Sequence, residues 1–311
     1  MSLYLGIDTS NYTTSAALVR EGRVLQNCKI PVPVAAGERG VRQSDAVFAH
    51  VKNLPSLMEG LHIDEPVAAI GCSAYPRDAE GSYMPCFLTG STVARSAASL
   101  LCVPCYAFSH QAGHVAAAVY SSGRREALGD RFVAFHVSGG TTELLLAERK
   151  EGAPGYRITL LGGSADLTAG QAIDRTGVRL GLPFPCGPSL ETLAAAYPFP
   201  RTRPSTEGLT CHLSGLENQT KKMIEEGEAP GRVAAYLLAY IKDTLALLAE
   251  GARERYPGIP LLFAGGVMSC RRIREEFEER FGGAFAEPAY SADNAAGIAL
   301  LCEEKHRYEI S

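Results

Sequence analysis

The segment most informative about the fold is "LYLGIDTSNYTTSAALVREGRVLQ", residues 3–26. An apolar run leads into a turn of small polar residues, a second apolar run follows, and a third begins after the "REG" turn. The same pattern recurs in "RFVAFHVSGGTTELLLAERKEGAPGYRITLLGG", residues 131–163. Each copy predicts a β-meander with a polar turn between its first two strands. The repeat indicates two lobes of the same architecture.

The segments that follow each meander alternate between apolar strands and stretches with helical spacing. This alternation is typical of α/β proteins whose sheets are largely buried. We expect an N-terminal lobe of residues 1–108 and a C-terminal lobe of residues 109–311, with the final helix able to pack back on the first lobe. The main predicted helices cover residues 45–61, 90–102, 231–256 and 269–281, and the main predicted buried strands cover residues 66–74 and 259–267.

The composition is typical of a soluble globular protein. Of the 311 residues, 46% are apolar and 21% are charged. A net charge of −4 gives no general attraction to nucleic acid. The N-terminus has no basic and apolar signal segment, and no run approaches the roughly 18 apolar residues of a membrane helix. Nine scattered cysteines favour reduced thiols, so we expect a cytoplasmic protein without membrane contact.

Two histidines four residues apart, His110 and His114, share one face of a predicted helix and could bind one metal ion. Packing or surface histidines are the alternative. The residues between them are Gln, Ala and Gly, so the general-base Glu of a zinc metallopeptidase is missing. A third ligand is needed, and Asp293 is a candidate because it precedes the final helix. Its alternative role is that of an ordinary helix N-cap.

A glycine-containing turn follows the first strand of the second meander. In "HVSGGTTE", residues 136–143, Ser138, Gly139 and Gly140 could cradle a phosphate through backbone N–H groups and a hydroxyl, or could form a simple hairpin turn. The same alternatives apply to residues 8–15, and "FAGGVMSCRR", residues 263–272, combines a strand, two glycines and a helix start. Neither a GxGxxG nor a Walker motif is present.

These segments together resemble the tRNA threonylcarbamoyladenosine transferase subunit family, formerly called glycoproteases or O-sialoglycoprotein endopeptidases. The resemblance covers nearly the whole chain and implies an actin-like, sugar-kinase-like ATPase fold with two similar lobes around a central cleft. The motifs that carry it occur in the family's order: "GIDTS", "HQAGH", "HVSGGTTEL", "AGQAIDRTGVRLGLPFPCGP", "HLSGLEN", "AGGVMSCRRIR" and "ADNAAGIAL".

The resemblance also implies a set of site residues, which it assigns to the C-terminal lobe. One divalent metal ion, iron or zinc, would be bound jointly by His110, His114 and Asp293. An adenine nucleotide or acyl-adenylate would be the second ligand, with Ser138 and Asp174 as catalytic candidates. Its phosphate would lie at residues 136–140 and its ribose and adenine near Asp174, Gly187 and Cys270. The full ligand-binding set is His136, Val137, Ser138, Gly139, Gly140, Asp174, Gly187 and Cys270.

The activity implied by the resemblance is transfer of a threonylcarbamoyl group from its adenylate to N6 of the adenosine beside the anticodon. The tRNAs concerned read codons that begin with A. The implied partners are a smaller paralogue, bound through helices of the N-terminal lobe, an ATPase, and the enzyme that makes the adenylate. Because basic clusters are small, tRNA is expected to bind only together with partner proteins.

Four positions depart from the family pattern. Asn11 stands where the family usually has cysteine, and Thr141 stands where it has histidine. Gln171 replaces a glutamate, and Cys270 replaces an asparagine that contacts adenine. These changes point to a divergent paralogue and keep two alternatives open. One is a metal-dependent carbamoyl or acyl transferase that acts on another small substrate, and the other is a non-catalytic regulatory paralogue.

Overall fold

The computed structural model describes residues 2–33 and 41–311. Every helix in these ranges is too short or too polar to cross a lipid bilayer. The strands are β1 (Leu3–Ser10), β2 (Thr13–Arg20), β3 (Arg23–Pro31), β4 (Val67–Tyr75), β5 (Cys105–Ser109), β6 (Arg131–Val137), β7 (Thr142–Arg149), β8 (Tyr156–Ser164), β9 (Thr206–Glu207), β10 (Thr210–Cys211), β11 (Leu261–Ala264) and β12 (Ala284–Phe285). The helices are α1 (Gln43–Glu59), α2 (Cys86–Leu101), α3 (His110–Ser121), α4 (Arg125–Leu128), α5 (Ala169–Arg179), α6 (Gly187–Ala194), α7 (Ser214–Glu225), α8 (Pro230–Arg255), α9 (Arg271–Phe281), α10 (Pro288–Ser291) and α11 (Ala296–Ile310).

The chain divides into two compact units. Unit 1 comprises Met1–Ser121, Arg149–Ile158 and Asp293–Ser311, and unit 2 comprises Ser122–Glu148 and Thr159–Ala292. These limits differ from the lobes 1–108 and 109–311 expected from the sequence, because α3 and α11 pack with the strands of the first sheet. The candidate metal ligands therefore all belong to unit 1.

Unit 1 is built on a mixed sheet with the strand order β3-β2-β1-β4-β5. The meander β1–β2–β3 is antiparallel, whereas β1, β4 and β5 run parallel to one another. Neighbouring residues of β1 face opposite sides of the sheet. Gly6 faces α11, whereas Ile7 faces α2, so helices cover both sides of the strand. Such burial on both faces explains why β1 reads as an almost continuous apolar run.

Unit 2 repeats the same topology. Its sheet has the order β12-β11-β6-β7-β8-β10-β9, in which β6 and β7 are antiparallel and β6, β11 and β12 are parallel. The segment β8-β7-β6-β11-β12 therefore matches β3-β2-β1-β4-β5 of unit 1. The rings of Phe135, Phe263 and Phe277 are fully buried in its core. Both the duplicated meander and the α/β class predicted from the sequence are confirmed.

Two glycines allow α3 and α11 of unit 1 to pack with their backbones in close contact. A Cβ atom on Gly113 would come within 2.9 Å of Ile298 Cδ1, and one on Gly297 would overlap the carbonyl oxygen of Gly113. Both glycines lie near the N-terminal ends of their helices. The contact therefore brings the N-terminal turns of α3 and α11 close to each other.

This contact predicts that Gly297→Ala destabilises the protein. Alanine favours a helix over glycine by about 1 kcal/mol, but here its methyl group would meet backbone atoms that cannot rotate away. We expect a net loss of roughly 1–3 kcal/mol in the free energy of unfolding, measured by urea denaturation.

Gly215→Ala is a matched control because Gly215 is also the second residue of a helix, α7, and an added methyl group would meet open space. It should be neutral or slightly stabilising. Equal stability of the two variants would contradict the close contact between α3 and α11.

Candidate functional site

His110 and His114 lie in the first turns of α3, which begins directly after β5. Their spacing places both rings on one face of the helix. Their Nε2 atoms are 2.9 Å apart, and the ring centroids are 4.3 Å apart. The ring of Phe87 packs against His110 with a centroid distance of 5.7 Å. The helical pairing predicted from the sequence is therefore present, with both Nε2 atoms directed at one point.

Asp293 joins the two histidines from the segment that leads into α11. Its Oδ1 atom is 3.6 Å from His110 Nε2 and 3.3 Å from His114 Nε2. Asp293 is not the N-cap of α11, because that position is occupied by Ala295, which forms no side-chain cap. The neighbouring Asn294 Oδ1 accepts a hydrogen bond from Ala296 N at 3.1 Å. The carboxylate of Asp293 is thus left to face the histidines.

The three side chains fit a divalent metal ion in chemistry and in spacing. Their ligand atoms all lie within 4.8 Å of one another. Metal bonds of about 2.0–2.2 Å place neighbouring ligand atoms roughly 3.0–3.5 Å apart, close to the separations found here. Two imidazole nitrogens and one carboxylate oxygen suit iron or zinc. Among the described residues, these three side chains form the group whose ligand atoms lie close enough together to hold one metal ion.

A second carboxylate, Asp8 at the end of β1, lies against the other side of His110. Its Oδ1 is 2.9 Å from His110 Nδ1, and the residue is fully buried. From the sequence, Asp8 is only one residue of the polar turn 8–15, for which a phosphate cradle and a simple hairpin turn are the alternatives. The available signal was a carboxylate at the end of a strand that is otherwise buried and apolar.

The two carboxylates change the protonation of this cluster. Burial lowers the pKa of His110, but the negative charges and hydrogen bonds of Asp8 and Asp293 outweigh burial and raise that pKa to about 10. Burial likewise raises the pKa of Asp293, yet hydrogen bonds from both histidines hold it well below the usual value. Without a metal, the folded protein therefore keeps His110 protonated at neutral pH.

Unit 2 holds the predicted anion-binding loop, Ser138–Gly140, at the end of β6. Gly139 and Gly140 are exposed, and a Cβ atom on either would meet open space. Thr168, the N-cap of α5, donates a hydrogen bond from Oγ1 to the carbonyl oxygen of Gly139 at 2.9 Å. The loop thus lies beside the N-terminus of an eleven-residue helix, where backbone N–H groups favour anions.

The remaining predicted ligand residues lie near α5, α6 and α9 of unit 2. Asp174, on α5, accepts a hydrogen bond from Cys186 N at 2.9 Å and so fixes the loop that leads into Gly187. Cys270 precedes α9 and is buried, and burial raises the pKa of its thiol to about 11. Glu191, one turn into α6, accepts a hydrogen bond from Arg271 N at 2.7 Å. Helix α6 therefore connects three of the predicted ligand residues, Asp174, Gly187 and Cys270. The sequence motifs did not point to Glu191, which makes one of these connections.

Three of the departures from the family pattern have local structural roles. Gln171 forms a reciprocal capping box with Thr168, a role open to Gln and Glu alike. Thr141 contacts Ser138 Oγ at 2.7 Å through its own hydroxyl and stiffens the loop. Asn11 accepts a hydrogen bond from Gln43 Nε2 at 2.7 Å, at the start of α1.

Fold and site together define an α/β protein with an actin-like, sugar-kinase-like ATPase fold and a His/Asp candidate metal centre. Component A of (R)-2-hydroxyglutaryl-CoA dehydratase from Acidaminococcus fermentans superimposes with a TM-score of 0.56 over 99% of this chain and 100% of that one, at 15% identity. A ROK family glucokinase from Streptomyces griseus gives a TM-score of 0.52 over 98% and 100% of the two chains, at 13% identity. At such low identity, these similarities support the fold alone, and they confirm the predicted fold class.

The sequence comparisons identify the family. The family model of tRNA N6-adenosine threonylcarbamoyltransferase matches residues 38–300. A tRNA N6-adenosine threonylcarbamoyltransferase from Thermus thermophilus is 33% identical over 312 aligned positions, which cover 97% of this chain and 93% of the relative. The chain belongs to the tRNA N6-adenosine threonylcarbamoyltransferase family, a family of transferases. The resemblance stated from the motifs is confirmed.

The His110 cluster predicts how the metal-free protein responds to pH. The folded-state pKa of about 10 exceeds the ordinary value of 6.5, so the stabilising contribution is complete below pH 6.5 and is lost as pH rises through 10. After chelator treatment, the free energy of unfolding should therefore fall over this window, by an amount on the order of a few kcal/mol.

His110→Gln removes the titrating group and is the comparison for this measurement. Its unfolding free energy, followed by urea denaturation at each pH, should decline less steeply than that of the wild type. Parallel curves for the two proteins would show that His110 does not carry the raised pKa.

Proposed function

We propose that this chain transfers a threonylcarbamoyl group from threonylcarbamoyl-adenylate to N6 of the adenosine beside the anticodon of tRNA. The convergence of His110, His114 and Asp293 on one point is the observation that carries the proposal. Family membership over nearly the full chain supports it. The missing general-base Glu between the histidines argues against a peptidase.

His110 and His114, through Nε2, and Asp293, through Oδ1, would hold one divalent ion, iron or zinc. When bound, this ion supplies Lewis-acid polarisation of a carbonyl group and a fixed point that orients the acyl group. The donor set of two imidazoles and one carboxylate supports either metal.

The adenylate is proposed to bind along unit 2. The N–H groups of Gly139 and Gly140 and the N-terminus of α5 hold its phosphate. Ser138 Oγ donates to a phosphate oxygen while it accepts a hydrogen bond from Thr141 N, and Ser138 N itself donates to the carbonyl oxygen of Thr141. Asp174 binds the ribose and keeps Gly187 in place, and Gly187 and Cys270 lie at the adenine. His136 and Val137 complete the strand end from which the loop projects.

The reaction needs no covalent enzyme intermediate. The N6 nitrogen attacks the carbamoyl carbon, the bond from that carbon to the phosphate oxygen breaks, and AMP leaves with the bonding electrons while N6 gives up a proton. The loop residues stabilise the negative charge that grows on the departing phosphate. The rest of the rate enhancement comes from holding the two reactants in place.

The partners proposed from the resemblance are a smaller paralogue and an ATPase. An apolar groove between α1 and α2 supports docking of the smaller paralogue on unit 1. Val51 and Leu88, on its rim, are 56% and 51% exposed. The groove is lined by Val51, Leu54, Pro55, Met58, Leu88, Thr89, Thr92 and Val93.

Binding of tRNA is proposed to depend on these partners, because the net charge of this chain is −4. A cytoplasmic location follows from the proposed substrate, a tRNA that must be modified before translation. Membrane association has no part in the proposal.

The proposed reaction predicts a strong effect of His114→Ala on transfer. We expect at least about a hundredfold loss in the rate of AMP release and of modified-nucleoside formation, because an ion that polarises the carbonyl would be lost. The assay uses purified threonylcarbamoyl-adenylate, tRNA, the smaller paralogue and the ATPase, and modified adenosine is detected by mass spectrometry of the digested tRNA.

His62→Ala is the control for the transfer assay, because His62 is an exposed histidine outside the candidate metal centre whose backbone exchanges hydrogen bonds with Gln26. It should retain the wild-type rate. Absence of modified tRNA with the wild type in the complete mixture would contradict the proposed function. In that case, release of AMP without tRNA modification would indicate another acceptor.

Docking through the α1–α2 groove predicts that Leu88→Asp abolishes co-purification with the smaller paralogue. A carboxylate at the rim of this apolar groove would lose hydration when the partner docks, without gaining an ion-pair partner. Leu160→Asp is the matched control, since Leu160 is 53% exposed on β8 and outside the groove. Retained binding by Leu88→Asp in size-exclusion chromatography would rule out this docking face.

A further inference from the structure

We infer that Asp8 is a positioning residue that fixes the ring of His110 so that Nε2 is presented to the metal ion. This inference rests on the metal centre of the proposed function. It goes beyond the three ligands, because Asp8 comes from β1, whereas the ligands come from α3 and from the segment before α11.

The geometry separates Asp8 from the metal ligands. The two nitrogens of an imidazole ring point away from each other, so a group bound to one nitrogen cannot reach an ion bound to the other. Asp8 Oδ1 lies 2.9 Å from His110 Nδ1. His110 Nε2, on the other side of the ring, lies 3.6 Å from Asp293 Oδ1. Asp8 is thus placed to support a ligand.

This arrangement determines which nitrogen of His110 can bind a metal. A carboxylate oxygen can only accept, so Nδ1 must donate its hydrogen to Asp8. The lone pair that binds a metal then resides on Nε2, which faces His114 Nε2 at 2.9 Å. A carboxylate behind a metal-binding histidine both orients the ring and increases its basicity as a ligand.

The burial of Asp8 requires positive charge at His110 or at an ion bound to it. The residue is fully buried, and among the described residues its Oδ2 makes no hydrogen bond of ordinary geometry, although the Ser73 hydroxyl is a polar neighbour. A buried carboxylate is strongly unfavourable unless nearby positive charge compensates for its lost hydration. In the metal-free protein His110 supplies this charge through Nδ1, and a metal ion bound at Nε2 would supply it in place of the proton.

The ring and the carboxylate are both held firmly in unit 1. Asp8 lies in a strand paired with β2 on one side and β4 on the other, and Ser15 Oγ donates a hydrogen bond to its carbonyl oxygen at 3.3 Å. Phe87, only 2% exposed, packs against the His110 ring. The Asp8–His110 hydrogen bond therefore sets the rotation of a ring whose position is already confined.

The test measures the affinity of the full chain for Zn²⁺ alone, by competition with a chromophoric chelator. Asp8→Ala should weaken Zn²⁺ binding roughly 10- to 100-fold. Asp8→Asn keeps an oxygen that can accept a hydrogen bond from Nδ1 but removes the charge. Relative to the wild type it should weaken Zn²⁺ binding by at least about threefold, but by less than Asp8→Ala does.

The visible absorption spectrum of the Co²⁺ complex should change with Asp8→Ala, because the ligand geometry around the ion changes. If Asp8→Ala does not fold, the isosteric Asp8→Asn carries the test.

Glu303→Gln is the matched control, because Glu303 is another buried carboxylate of unit 1, with its hydrogen bond to Gly22 N. It should leave the Zn²⁺ affinity and the Co²⁺ spectrum unchanged even where it lowers stability.

Equal Zn²⁺ affinity of Asp8→Ala, Asp8→Asn and the wild type would overturn the role of Asp8 but leave the metal centre intact. An equal loss of Zn²⁺ affinity in Glu303→Gln would show that the Asp8 variants act through general destabilisation of the fold. This outcome would also overturn the positioning role of Asp8. If the wild type binds neither Zn²⁺ nor Co²⁺, the metal centre of the proposed function fails and this inference fails with it.

Discussion

The close contact between the first turns of α3 and α11 is the constraint on which the candidate metal centre depends. Gly113 and Gly297 let the two helix backbones approach at a distance that any side chain would prevent. His110 and His114 begin one helix, and Asp293 comes three residues before the other. Without that contact, the histidines would remain a surface pair and the carboxylate would be one more loop residue.

The charges of unit 1 are consistent with this packing. Asp8 and Asp293 lie on opposite sides of His110, and in the metal-free protein their negative charge keeps that histidine protonated. A divalent ion bound at this proposed centre would take over the role of the proton on Nε2 and supply the positive charge next to both carboxylates. Metal binding and protonation of His110 would therefore be alternatives at one position.

Unit 2 shows which side chains stabilise the backbone around the candidate anion-binding loop. Gln171 caps α5 together with Thr168, and Thr141 braces the Ser138–Gly140 loop through its hydroxyl. Both side chains are neutral and form local hydrogen bonds. The backbone features that suit an anion, exposed glycines beside a helix N-terminus, do not depend on those side chains.

The duplicated meander, the α/β class and the helical pairing of His110 with His114 could be predicted from the sequence, because these follow from local periodicity and spacing. The motif order also identified the family. It required the folded structure to show that Ala295, and not Asp293, is the N-cap of α11, that Asp293 faces the histidines, and that α3 and α11 belong to unit 1. Only the folded structure shows that Asp8 lies behind His110, although 102 positions separate the two residues. Contacts over such separations depend on strand order and helix packing, which the spacing of residues along the chain does not encode.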